Sequence, residues 1–246
     1  TLWVLIHLGG SQVFLYYLLR PVLKIISPRT ADDRLRRATR WMARGVVKGM
    51  PFGKLEFQNI SAESFSPPCI VISNHQSAVD VMLMVSLPGD VRQTAKKRVF
   101  DEPMLGLGCK LLGHVMVEPN DPARTLQRCR EKLGEGACVH FYPEGTRSHD
   151  GYLQRFHRGA FELAVELNQD ILPLVLCDSN TAMPRDAYWF EAFHTTVRAP
   201  PRRTPRTFVS SLRVAPPLRH SHTVLRTALP SKLPADHPAT DGARTR

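Results

Sequence analysis

Asn74-His75-Gln76-Ser77-Ala78-Val79-Asp80 places an imidazole and a carboxylate five residues apart, directly after the short apolar run from Cys69 to Ser73. An imidazole titrates near neutrality, at about 6.5, and a carboxylate on its second nitrogen fixes the tautomer and stabilises the imidazolium formed when it takes a proton. The pair therefore reads as an activated general base. A plainer reading uses the same residues: Ser77-x-x-Asp80 is also a capping box opening a helix through Val81, Met82, Leu83, Met84 and Val85, with Asp80 serving only the helix terminus. A second motif, Phe141-Tyr142-Pro143-Glu144-Gly145-Thr146-Arg147-Ser148, follows the apolar run Ala137 to Tyr142. Gly145 can adopt backbone angles closed to other residues and bring amides close to a ligand. Thr146 and Ser148 supply hydroxyls, and Arg147 a two-pronged guanidinium, so the stretch reads as a phosphate cradle. Its plainer counterpart is a solvated turn, for which Pro-Glu-Gly is ordinary chemistry.

Taken together, the Asn-His-x-x-x-x-Asp block and the downstream Pro-Glu-Gly-Thr-Arg-Ser block resemble the glycerolipid acyltransferase family that includes 1-acylglycerol-3-phosphate acyltransferases. Between them, Ala95-Lys96-Lys97 with Pro103, Gly106 and Gly113 is similar to that family's second block. Ile171-Leu172-Pro173-Leu174-Val175 is similar to its fourth, so the resemblance covers Leu55 to Val175. There is one departure. Where the family's second block commonly ends in an acidic residue followed by Arg, this chain has Val117-Glu118-Pro119, so a cation expected near the acceptor phosphate is missing there.

The resemblance implies transfer of a fatty acyl group from an acyl thioester, acyl-CoA or acyl-ACP, to the hydroxyl of a lysophospholipid, foremost 1-acylglycerol-3-phosphate. It implies His75 as general base with Asp80 orienting it. Glu144, Gly145, Thr146 and Arg147 would position the glycerol phosphate, and Lys96 or Lys97 would add positive charge. Neither a covalent enzyme intermediate nor a cofactor beyond the acyl carrier is implied. The chemistry is coherent, since a thioester carbonyl is already electrophilic and the alcohol is the partner whose proton must leave. Backbone amides at the start of the helix after His75 are candidate oxyanion donors, because a helix N-terminus favours negative charge.

The chain has 246 residues, 43% hydrophobic content and a formal net charge of +11. That charge is unevenly placed: residues 1–54 and 195–246 each hold ten Lys and Arg against two Asp and Glu, while 55–194 is net acidic. Basic ends around an acidic centre are a poor nucleic-acid footprint, where cations should line one folded surface, and a better match to membrane lipids. Leu2 to Leu19 is almost wholly apolar or small, and is followed by Arg20, Lys24, Arg29, Arg34, Arg36, Arg37, Arg40 and Arg44. At about 18 residues it is short for a span, and His7 to Gln12 weaken its middle, so it reads as an embedded or interfacial helix with spanning as the alternative. Charge after the apolar run disfavours a signal peptide and places the catalytic domain on the cytoplasmic face. Cys69, Cys109, Cys129, Cys138 and Cys177 show no Cys-x-x-Cys spacing, and the histidines no zinc pattern, so the expectation is plain thiols and no metal.

Short apolar runs alternate with helical patterns: Cys69 to Ser73, a helix from Ser77, His114 to Val117, a helix from Asp121 to Leu133, Ala137 to Tyr142, Gly159 to Leu167 and Ile171 to Leu176. The fold class is therefore α/β. With the resemblance it becomes a single acyltransferase domain whose central mixed sheet is flanked by helices, preceded by an N-terminal membrane-associated helix. In such sheets ligands gather beyond the C-terminal ends of strands, where both motifs fall. The expected division is a membrane-embedded or interfacial helix over 1–27, a basic amphipathic connection over 28–54, the acyltransferase domain over 55–194 and a basic, Pro-rich, poorly ordered tail over 195–246. Two other functions use parts of the same pattern. One is a metal-dependent phosphoesterase with His75, Asp80 and Glu144 as ligands, the other a non-catalytic lipid-binding protein.

Overall fold

Ile70–Ser73 is buried along its whole length, as a strand flanked by partners on both edges and covered on both faces must be. In the computed structural model, which describes residues 9–49, 53–148, 152–183 and 191–204, it is the middle strand of a seven-stranded sheet. The strands are β1 (Gly53–Gln58), β2 (Ile70–Ser73), β3 (Val91–Lys96), β4 (Val115–Val117), β5 (Cys138–Phe141), β6 (Ile171–Cys177) and β7 (Phe193–Arg198). They lie in the order β1-β7-β6-β2-β5-β3-β4. β6, β2, β5, β3 and β4 run parallel, while β7 turns back antiparallel to β6 and pairs parallel with β1, so the sheet is mixed as expected.

Successive residues of a strand point to opposite faces, and β2 divides its side chains accordingly. Val71 packs with Val46 and Val47 of α2 (Ala31–Lys48) and Leu83 and Met84 of α3 (Val79–Ser86). Ile70 and Ile72 pack on the other face, with Cys129 of α6 (Pro122–Gly134) and Ala160, Leu163 and Ala164 of α7 (Gly159–Glu166). The remaining helices are α1, built of three consecutive stretches, Ser11–Val13, a π-helical Phe14–Leu19 and Arg20–Ile26, then the short α4 (Lys97–Asp101) and α5 (Pro103–Leu112). Leu15 of α1 is buried against Leu35 of α2 and Leu111 of α5.

Several boundaries differ from the sequence reading. The expected connection over 28–54 contains an 18-residue helix, α2, and the start of β1. The first four residues of the tail expected from 195 lie in a strand, β7, where Thr195 and Val197 are fully buried between β1 and β6. The rest of that tail, from 205, lies outside the described residues. Asp121 caps α6 by accepting the Arg124 N–H at 2.9 Å, but Gly134 stays helical and the left-handed glycine is Gly136, at φ +85°. Pro173 sits in the middle of β6, at a gap on the β7 side between the Ile171–Arg203 bridge and the Val175–Arg198 pair, where its missing N–H breaks no ladder.

The basic flank is also only partly available to lipid. Arg44 donates to the carbonyls of Ser86 at 3.1 Å and Leu87 at 2.5 Å, and Arg40 to Leu87 at 3.1 Å, satisfying orphan carbonyls at the C-terminus of α3. Arg20 and Lys24 pair with Asp32, and Arg36 with Asp33. Among the described residues no helix is long and apolar enough to cross a membrane. The first eight residues, which include the beginning of the apolar N-terminal run, lie outside that description.

Candidate active site

His75 lies two residues beyond β2, Tyr142 one residue beyond β5, and Lys96 is the last residue of β3, so parallel pairing brings both motifs to the C-terminal rim of the sheet. Asn74 anchors the turn. Its amide donates to the Leu176 carbonyl and accepts the Leu176 N–H, each at 2.8 Å, reproducing with a side chain one more step of β2–β6 pairing. From that fixed point the chain turns into α3, and Asp80 falls in the first helical turn.

Asp80 is fully buried, and its Oδ2 accepts three hydrogen bonds: from the Gln76 N–H at 2.7 Å, the Ser77 N–H at 2.8 Å and His75 Nδ1 at 2.9 Å. One oxygen therefore serves both the helix start and the imidazole. The carboxylate ties the helix start and also orients the imidazole, fixing the proton on Nδ1 and leaving Nε2 as the nitrogen with a lone pair to offer. The His75 side chain keeps 15% exposure.

The second motif is joined to the first through its backbone. Glu144, buried, accepts the His75 N–H on Oε1 at 2.8 Å and the Gln154 N–H on Oε2 at 2.9 Å, and the Ser148 N–H donates to the His75 carbonyl at 2.7 Å. Burial raises the Glu144 carboxyl above its ordinary range, opposed by the two amides. Gly145 adopts φ +68°, and a Cβ there would press on the His157 ring at 3.1 Å, so position 145 needs glycine for both reasons. Its carbonyl accepts from Lys96 Nζ at 3.0 Å, whereas Lys97 turns away to pair with Asp101. Thr146 is exposed and Arg147 half-buried, next to the buried Ser148.

Four of the amides expected to serve as oxyanion donors are committed elsewhere. Those of Gln76 and Ser77 bind Asp80, that of His75 binds Glu144, and that of Val79 binds Ser77 Oγ at 3.3 Å. Where the second block lacks its Arg, Glu118 is met by cations from α6, with Arg128 at 2.8 Å and Arg124 at 3.6 Å. Among the described residues no group of three or more His, Cys, Asp and Glu is placed to hold a metal. The five cysteines are free thiols, and Cys69, just before β2, lies 3.6 Å from Cys138 of β5.

Residues 54–177 match the family model described as Acyltransferase. The chain belongs to the acyltransferase family. Over 183 residues it is 35% identical to a chloroplastic 1-acyl-sn-glycerol-3-phosphate acyltransferase of Arabidopsis thaliana, a match covering 72% of this chain and 51% of that protein. A chloroplastic counterpart from Brassica napus is 36% identical over 138 residues, covering 54% of this chain and 40% of its own length. The human alpha form is 35% identical over 116 residues, covering 45% and 41%. The chain thus spans about half the length of the curated relatives it matches. In fold it is similar to the crystal structure of a 1-acyl-sn-glycerophosphate acyltransferase from Thermotoga maritima, with a TM-score of 0.68 at 18% identity over 92% of this chain and 90% of that one.

Several neighbours in this acyltransferase-family site were given no role by the sequence reading. Tyr142 stacks on His75 with ring centroids 3.9 Å apart and planes 20° from parallel, and it also meets His140 edge to face at 4.4 Å. His140, fully buried, bonds Ser73 Oγ at 2.9 Å, and burial drives its pKa down to about 3. Gln93 links β3 to α3 through the Val81 carbonyl at 2.9 Å. Tyr142 and His140 alternate along β5 and its exit, which was a readable signal; the Gln93 contact had none.

Proposed function

We propose that the protein transfers a fatty acyl group from an acyl thioester, acyl-CoA or acyl-ACP, to the hydroxyl of 1-acylglycerol-3-phosphate, with His75 as general base. The observation carrying this reading is the 2.9 Å bond from His75 Nδ1 to a fully buried Asp80, which leaves Nε2 as the proton acceptor. As the acceptor oxygen bonds to the thioester carbonyl carbon, its proton passes to Nε2. When the C–S bond breaks, the imidazolium returns a proton to the leaving thiolate. Asp80 stabilises the cation between these steps, and Arg147, Thr146 and Lys96 place the acceptor phosphate against the base. Glu144 contributes by clamping the phosphate-side loop to the His75 backbone. The relatives' names supply the acceptor class, since each is a 1-acyl-sn-glycerol-3-phosphate acyltransferase.

The protein works at a membrane surface in this proposal, with the catalytic domain on the cytoplasmic face. Phe14, Tyr17, Leu18, Val22, Ile25 and Ile26 of α1 are exposed, Ile25 at 83%, beside the basic flank, which suits an interfacial helix. Incubation with labelled acyl-CoA or acyl-ACP and lysophosphatidate, followed by separation of lipids, tests the function. Labelled phosphatidate is the expected product. Release of inorganic phosphate instead would mark a phosphoesterase, and lipid binding without either product would mark a non-catalytic protein.

A further inference from the structure

We propose that Tyr142 is a positioning residue for His75: its ring face fixes the plane of the imidazole and favours the cation formed when Nε2 takes the acceptor's proton. This rests on the reading of His75 as general base. The geometry is a near-parallel stack, with centroids 3.9 Å apart and planes at 20°. Asp80 restrains the imidazole at one edge only, through Nδ1, and a single hydrogen bond permits rotation about its own axis. The stack removes that freedom. Tyr142 is itself held, by ring contact with the buried His140 at 4.4 Å and by a long 3.5 Å contact from its hydroxyl to Gln93 Oε1. Gln93 in turn donates to the Val81 carbonyl, one residue after Asp80, so both restraints on the imidazole are referred to the same turn of α3.

An aromatic face carries negative quadrupolar charge, and a cation over it is stabilised more than a neutral ring. The stack therefore acts differentially, more on the imidazolium than on the imidazole, which is what a group aiding proton acceptance must do. Burial, with Asp80 nearby, keeps the phenol protonated far above working pH, so the face is that of a neutral ring. Among the described residues, the titratable groups with a stated contact to His75 are Asp80 at Nδ1, Glu144 at its backbone N–H and Tyr142 at its face, with His140, which burial keeps neutral, behind Tyr142. Only Tyr142 among them meets the ring through its π system.

The test is the ring-proton titration of His75 by NMR on the full chain without substrate, beside the pH profile of kcat/KM. Tyr142→Leu is expected to move the titration midpoint and the acidic limb of the profile down by about 0.4–1.5 pH units, and to lower kcat by about 3- to 30-fold. Tyr142→Phe keeps the face and should stay within about twofold of the parent, with an unmoved midpoint. Should Tyr142→Leu not fold, ring-fluorinated phenylalanine at position 142 keeps the shape while depleting the face, and the midpoint should fall stepwise from that of Tyr142→Phe. Equal losses in Tyr142→Leu and Tyr142→Phe, or a midpoint indifferent to fluorination, would overturn the proposal. Because the titration is read without turnover, failure of acyl transfer itself would show separately, as a parent protein that makes no phosphatidate.

Discussion

Asp80 and Glu144 are both buried carboxylates at the rim of the sheet, and both accept two backbone amides, yet their third dimension differs. Asp80 gathers its bonds on one oxygen and adds the ring of His75, while Glu144 divides its two oxygens between the His75 and Gln154 amides. One carboxylate holds an imidazole ring; the other holds two stretches of backbone together. The His75 ring is thus fixed by a side-chain bond, whereas the second motif is joined to residue 75 through backbone groups, with Thr146 exposed and Arg147 half-buried. In the proposed mechanism the imidazole is organised before substrate arrives, as electrostatic preorganisation requires, and acceptor choice is assigned to the side chains of the second motif.

Substituting each half separately sharpens this contrast. Asp80→Asn keeps an oxygen for the Gln76 and Ser77 amides but removes the charge from beside the imidazole, so turnover should fall by about 10²–10⁴-fold with little loss in the denaturation midpoint. A comparable drop in both would make Asp80 a helix-start residue only.

Acid titration separates the buried groups by sign. His114 and His140 are held neutral by burial with pKa values near about 3, against about 6.5 when unfolded. The unfolded chain therefore binds more protons between those values. Stability is fully present above about pH 6.5 and declines toward pH 3, by about 1.4 kcal/mol per pH unit for each histidine. Glu144, raised by burial, works oppositely, its contribution falling as pH rises from the ordinary carboxylate value toward its raised one. Denaturant midpoints measured across this range should show the first slope, made steeper where Glu144 titrates when Glu144 is replaced by Gln.

In the second motif, Arg147→Ala should lower kcat/KM for 1-acylglycerol-3-phosphate by about 10- to 100-fold, the worth of a charge-assisted phosphate contact, and spare a phosphate-free alcohol. An equal loss with both acceptors would assign Arg147 to the loop's structure. Glu144→Gln offers one acceptor oxygen to two amides, leaving one buried N–H against an NH₂ group. It should cost about 1–3 kcal/mol in chemical denaturation while turnover falls less than for Asp80→Asn.

The parts legible in sequence were those governed by local pattern. Continuous apolar runs marked β2, β5 and β6, and Asp121-Pro122 marked the start of α6. His75 and Asp80 meet because the short turn from β2 into α3 brings residues five apart together, a local arrangement that the spacing shows. β1 and β7 were missed because their pairing joins Gly53 to Phe193 across the whole domain, and neither strand is apolar throughout. β3 was hidden by Arg92 and Gln93, which are buried but satisfied, Arg92 by the Leu112 carbonyl and Asp90 and Gln93 by Val81. Arg40 and Arg44 looked like lipid contacts because their carbonyl partners at the end of α3 are set by tertiary packing. In the same way the amides near His75 looked available until Asp80 and Glu144 were seen to take them.

The most direct test of the central claim is single-turnover formation of phosphatidate by His75→Ala, beside the parent and with lipid binding measured in parallel. The account expects the transfer step to slow by about 10²–10⁴-fold while folding and lipid association persist. A transfer rate equal to the parent's would contradict it, because Nε2 of His75 is the only proton acceptor the proposed mechanism supplies.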